Sequence, residues 1–203
     1  MKRTTIPYLL LLAVIALSSC AEKAVAPREY VSLVNHHDQL NREITLDSNL
    51  ALKVAMRPVD YRICMALRSD SISSGAYEEQ NERLGNNIGF VVSMTSRDNE
   101  SVIKHLENKL ALDKERILKY FNYEAGADFV LLSQSNDTLQ RELYHYEYSY
   151  QLTPEERFNV VFELPEKSQW PLTLLVAHPT EGTYERFEFH SQDFFGLPKI
   201  KLI

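Results

Sequence analysis

The stretch ELYHYEYSY, positions 142–150, gathers most of the side chains here that could do chemistry together. On an extended chain alternate side chains share a face. Tyr144, Tyr146, Tyr148 and Tyr150 therefore line one side, and Leu143, His145, Glu147 and Ser149 the other. Facing water, the tyrosines make an aromatic stripe suited to stacking on sugars, peptides or a protein surface. Facing inward, they are core filler with hydroxyls reaching the rim. Leu143 is the one apolar residue on the alternate face, which favours the inward arrangement. His145 and Glu147 are placed to share a hydrogen bond or to form half of an acid–base pair. A strand supplies them no third partner, so the expectation is a polar structural pair, and no catalytic residue is assigned.

Other reactive types lead less far. In NHHDQ the adjacent side chains of His36, His37 and Asp38 diverge in either helix or strand, so at most two reach one ion without a sharp turn. No metal site is assigned. Cys64 lies among apolar neighbours in YRICMAL and reads as a small buried hydrophobe; a reactive thiol wants an exposed, electropositive setting. Trp170, in EKSQWPL, is expected to pack over the end of a sheet rather than to serve as an exposed anchor. The chain has no Gly-rich phosphate loop, HExxH, CxxC or GxSxG element, and its 6 glycines leave little material for one. No cofactor is expected.

The N-terminus carries a different chemistry. Lys2 and Arg3 precede an apolar run over 6–17, roughly 18 Å long as a helix at about 1.5 Å per residue. A bilayer core of about 30 Å needs closer to 20 residues, so the run does not span and has the layout of a secretory leader. Its ending, Leu17-Ser18-Ser19-Cys20, resembles the bacterial lipobox. That resemblance implies a diacylglycerol on the Cys20 sulfur, removal of residues 1–19, and acylation of the new amino group. The thiolate is the nucleophile that accepts the lipid. Two or more acyl chains, at about 0.8 kcal/mol per buried methylene, anchor stably where one does so marginally. Residues 20–29 then form the lipidated cysteine and a flexible spacer, since AEKAVAPRE is small, charged and without apolar periodicity. Ala21 is not the aspartate that retains many lipoproteins of this kind in the inner membrane, so the resemblance points to the outer membrane.

Beyond the spacer, residues 30–203 suit one domain, burying roughly 70% of its unfolded surface. With 22 basic against 28 acidic residues the formal charge is −6, and loss of Lys2 and Arg3 makes the body more acidic. A chain of that balance lacks the footprint of a nucleic-acid binder. It also has no basic patch for anionic lipid, which leaves membrane attachment to Cys20.

The elements that must position these residues alternate along the chain. REITL and LALKVAM flank the turn-forming DSN as a hairpin, with Leu50, Leu52, Val54 and Met56 on one face. After Pro58, VDYRICMALRS favours a helix, and AYEEQNERLG is a second, stopped at Gly85. IGFVVSMTS is a strand. Val102, Ile103, Leu106 and Leu110 recur at helical spacing behind Asn99 as cap, and Asp113 caps a further helix with Ile117, Leu118 and Phe121 inward. ADFVLLSQ, the long TLQRELYHYEYSY, RFNVVFEL, PLTLLVAH and TYERFEFH read as strands, punctuated by Pro165, Pro171 and Pro179. The expected fold is mainly β with short inserted helices (α+β), an antiparallel β-sandwich-like single domain.

Residues 118–164 resemble a group of uncharacterised lipoproteins of Bacteroidota-type bacteria. The resemblance rests on Tyr120 and Phe121, Asp128, Asp137-Thr138-Leu139, and His145-Tyr146-Glu147. It departs where that group often has a cysteine after Asp-Thr-Leu; Arg141 stands nearby here. The group brings no established activity, so it supports compartment and fold alone. Together these features describe a lipid-anchored envelope protein acting as a non-catalytic binding or assembly component, with a protein or glycan partner in the envelope. The alternatives are a metal-independent hydrolase using His145 with carboxylates, and a purely structural lipoprotein.

Overall fold

In the computed structural model, residues 24–98, 100–150 and 152–203 are described. Cys20, the leader, Asn99 and Gln151 lie outside them.

A five-stranded antiparallel sheet forms the centre. Its strands are β2 (Asn41–Thr45), β3 (Leu50–Arg57), β4 (Asn87–Ser96), β6 (Arg141–Glu147) and β7 (Glu155–Glu163), in the order β2-β3-β4-β7-β6. The predicted hairpin is present. Asp47 Oδ1 accepts the amides of Asn49 and Leu50 at 2.8 and 2.9 Å, which turns β2 into β3. In β3 the residues Leu50, Leu52, Val54 and Met56 all point into the core, as the period-two reading requires.

A second antiparallel sheet, β5 (Phe129–Leu132), β8 (Leu172–Ala177) and β9 (Tyr184–Phe189), has the order β5-β8-β9. It faces the first across one shared core. Phe189 of β9 meets Phe90 of β4 with ring centroids 5.4 Å apart, and Phe129 of β5 meets Phe158 of β7 at 5.6 Å. The fold is α+β with antiparallel sheets in a sandwich-like arrangement.

Helices fill the connections. α2 (Val59–Leu67) follows Pro58, and α3 (Ser74–Leu84) ends at Gly85, whose φ of 67° suits a residue without a side chain. α4 (Val102–Leu110) and α5 (Lys114–Lys119) cover the open flank of the core, burying Val102, Ile103, Leu106 and Ile117. Asp113 caps α5 as predicted, accepting the Arg116 amide at 2.8 Å. α4 is capped by Ser101, whose hydroxyl accepts the Lys104 amide at 3.1 Å, two positions later than the predicted Asn99. A single π turn at Tyr120–Glu124 and a 3-10 turn at Ala125–Asp128 lead from α5 into β5.

Three corrections concern elements not foreseen. Within the span 20–29 read as a flexible spacer, the described residues from Ala24 onward take regular structure. β1 (Ala24–Val25) pairs in parallel with β10 (Lys199–Ile200), and α1 (Pro27–Asn35) starts with a proline in its first turn and buries Tyr30 and Val34. The predicted strand through residue 150 stops at Glu147, and Tyr150 takes a left-handed φ of 55°. Near the C-terminus a short helix, α6 (Ser191–Phe195), precedes β10. Among the described residues no helix is long and apolar enough to cross a membrane.

Candidate functional site

The two faces of β6 separate the tyrosines from the His–Glu pair. Tyr144 and Tyr146 point inward and pack on Phe158 of β7 at 6.4 and 5.3 Å between ring centroids. Tyr148 is half-buried against the core, and Tyr150, past the end of the strand, is 72% exposed. The four rings therefore do not form one solvent-facing stripe, and a binding face made of Tyr144, Tyr146, Tyr148 and Tyr150 is not present. Tyr146 donates to Glu156 Oε2 at 2.7 Å, and Tyr144 donates to the Phe121 carbonyl oxygen. Burial raises both phenols above their ordinary pKa; for Tyr146 the hydrogen bond to Glu156 and its charge act in the same direction.

His145 and Glu147 lie on the outer face. Glu147 accepts from Asn159 Nδ2 at 2.7 Å, not from His145, whose side chain is exposed. The remaining singled-out residues are structural. Cys64 is 4% exposed, and desolvation, with Asp60 nearby, pushes its thiol up to about 11. Trp170 packs against Phe194 and Phe195 of α6 at 5.3 and 5.6 Å. His36 Nδ1 bonds the Ser32 carbonyl at 2.8 Å, ending α1. Among the described residues no cluster of three or more His, Cys, Asp or Glu side chains could hold a metal ion.

The concave site lies elsewhere, between the inward face of the five-stranded sheet and the α4–α5 layer. It is a cavity of about 270 Å³. Leu52, Val92, Met94 and Phe158 form its floor; Leu106, Ile117, Phe121 and Phe129 form its walls. These come from six elements and the π turn, each presenting an apolar side chain because its own period points that residue at the core. The gap exists because the α4–α5 layer bridges to the sheet without filling the space over Val92 and Phe158.

Polar groups complete the lining. Tyr120 donates to Asp128 Oδ2 at 2.5 Å. Arg116 and Glu124 are 4.0 Å apart as a loose ion pair. His178, at the end of β8, is buried, and its Nδ1 accepts the Thr180 amide at 3.3 Å. Burial raises the Asp128 carboxyl above its ordinary range, against the opposing hydrogen bond from Tyr120. Among the lining residues Arg116, Tyr120, Glu124, Asp128 and His178 are the polar and charged ones.

Sequence reasoning did not find this site, although the resemblance drew attention to Tyr120, Phe121 and Asp128. The signal that could have helped is the run of Tyr120, Phe121, Asn122 and Tyr123 at a helix end, where aromatic crowding marks a distorted turn. No family model, no curated protein and no solved structure matches this chain.

Proposed function

We propose that the protein is a lipid-anchored component of the cell envelope, held at the outer membrane through Cys20, that binds a small apolar or amphipathic molecule without transforming it. The observation that carries the binding part is the cavity itself, lined mainly by apolar side chains with a few polar groups among them, the composition expected of a ligand site. Its volume of about 270 Å³ suits a molecule smaller than a typical drug-sized ligand. The anchoring part rests on the lipobox resemblance, with a chain of net charge −6 that disfavours general attraction to anionic lipid. The hydrolase alternative would use a different site, since His145 lies on the outer sheet face in a groove with Glu147 and Glu155, whose carboxylates are engaged by Asn159 and Arg157.

Two measurements test this reading. Cys20→Ser should move the protein from the membrane pellet to the soluble fraction and remove the acyl mass, with the domain still folded. For the cavity, the neutral fluorophore N-phenyl-1-naphthylamine should bind the wild type with enhanced emission. Val92→Phe should reduce that binding about tenfold or more while leaving the circular dichroism unchanged. Retention of Cys20→Ser in the pellet defeats the anchor. Unaltered dye binding by Val92→Phe defeats the cavity as the site.

A further inference from the structure

The outer face of the five-stranded sheet forms, with α2 as a wall, an open groove of about 830 Å³. Its floor is made of small side chains. Ala55, Gly89 and Val91 lie where β3 and β4 pair, and a Cβ on Gly89 would sit 3.3 Å from the Arg57 carbonyl oxygen and 3.3 Å from Arg62 Cδ. Gly89 is thus the position that lets Arg62 lie down across the sheet beside Arg57.

Both arginines are held by neutral partners. Arg57 is half-buried, donates to Asn41 Oδ1 and to the Met56 carbonyl oxygen, each at 3.1 Å, and lies 4.8 Å over the Tyr61 ring. Arg62 is half-buried and donates to Asn87 Oδ1. Among the described residues neither forms an ion pair. Arg157 in the same groove shows the contrast, engaging both oxygens of Glu155 at 2.8 and 3.1 Å. A guanidinium does not deprotonate to escape burial, so partial desolvation without a carboxylate leaves two forks facing an open groove. The groove also runs against the charge of the whole chain. Lys53, Arg57, Arg62 and Arg157 face only Glu147 and Glu155, on a protein of net charge −6.

We propose that this groove binds an extended acidic segment of a partner protein, with a carboxylate of that segment seated on Arg57 and Arg62. Bidentate guanidinium–carboxylate geometry supplies the recognition, and the small floor lets a peptide backbone lie close to the sheet. Apolar side chains of the segment have Met65 and Leu143, 45% and 49% exposed, on which to rest. An acidic glycan fits less well. Of the aromatic residues lining the groove, Tyr61 lies under Arg57, and Phe90 and Tyr144 pack into the core. Glu147 and Glu155 at the far corner also repel an evenly charged polymer.

The test uses the full chain in detergent and a fluorescein-labelled, end-blocked octapeptide alternating glutamate with leucine, read by anisotropy. The wild type should bind it, more weakly as salt rises. The Arg57→Gln/Arg62→Gln double variant should bind about tenfold more weakly or worse, as should the wild type with a glutamine-for-glutamate peptide. Arg28→Gln, which removes one charge outside the groove, should leave the affinity within about threefold. Unchanged naphthylamine binding by the double variant shows that it is folded. No binding of the acidic peptide by the wild type, or equal binding by the double variant, overturns the proposal. Tighter, Arg57- and Arg62-dependent binding of a sulfated oligosaccharide than of the peptide overturns it in favour of a glycan.

Discussion

Tyr146 and Glu156 offer the sharpest perturbation of the fold. Glu156 is 0% exposed, and three contacts make its carboxylate tolerable there. Tyr146 donates to Oε2 at 2.7 Å, the Ser149 amide donates to Oε2 at 3.3 Å, and the Ser149 hydroxyl donates to Oε1 at 2.7 Å. Tyr146→Phe keeps the ring and deletes one donor to a buried charged acceptor, which should cost about 1.5–3 kcal/mol. Tyr146→Ala also removes a ring that meets Phe121 at 5.2 Å and Phe158 at 5.3 Å. Loss of a buried aromatic costs about 3–5 kcal/mol, and since the two losses share a site they should combine to about 5 rather than add in full. Against a typical total of about 5–15 kcal/mol, the alanine variant sits near the edge of unfolding.

Urea unfolding at neutral pH, with the denaturant slope held constant between variants, measures both. A double-mutant cycle separates the hydrogen bond from the packing. On a Glu156→Gln background the acceptor is neutral, so Tyr146→Phe should cost below about 1.5 kcal/mol. A Tyr146→Phe variant within about 0.5 kcal/mol of wild type, beyond which surface changes rarely reach, would refute the buried pair. A near-neutral Tyr146→Ala would place the ring outside the core and restore the tyrosines as a binding surface.

The other predictions address single groups. Cys64 should resist thiol reagents in the native state and label on unfolding, and Cys64→Ala should cost on the order of 1 kcal/mol in the same urea assay; rapid native labelling contradicts its burial. His145→Ala should shift stability by less than about 0.5 kcal/mol and leave naphthylamine binding unchanged, because its side chain is solvent-facing; lost dye binding would tie the outer face to the cavity. The Asp47 carboxyl is pulled upward by burial, but Lys109 and the Asn49 and Leu50 amides outweigh that and hold it down to about 2 from an ordinary 3.8. Its contribution, about 1 kcal/mol once screening at the partly exposed Lys109 is allowed for, is therefore complete above about pH 5 and lost progressively as pH falls through about 2; Asp47→Asn should flatten that part of an acid titration of the urea midpoint.

Where the fold was legible, one face of an element was wet and the other dry. β3 alternates Leu52, Val54 and Met56 with Lys53 and Arg57, and a half-buried strand needs no other information. The Asp47 turn and the Asp113 cap were legible because their hydrogen bonds close within three residues. What was hidden depends on contacts distant in sequence or on local competition. β1 is two residues long and exists because β10 arrives beside it. The strand containing Tyr146 ends early because the Ser149 amide turns to the Glu156 carboxylate, a partner on another strand. The cavity is a gap left between elements, and gaps carry no residue signature. The lack of a carboxylate beside Arg57 and Arg62 is likewise a property of the neighbours, not of either arginine.

The register of β6 links these readings. Tyr146 lies opposite Phe158 and His145 opposite Asn159. Shifting β6 by one residue would turn Tyr144 and Tyr146 onto the groove face and bring His145 and Glu147 over the core. Glu156 would then lose its phenolic donor while a second carboxylate entered the same apolar space. That electrostatic penalty adds to the lost burial of the two rings, which pack on Phe121, Phe129 and Phe158 in the native register. Ring packing and the buried Tyr146–Glu156 bond thus favour the same register, in which the inward face frames an apolar cavity and the outward face keeps a groove of small residues and charges.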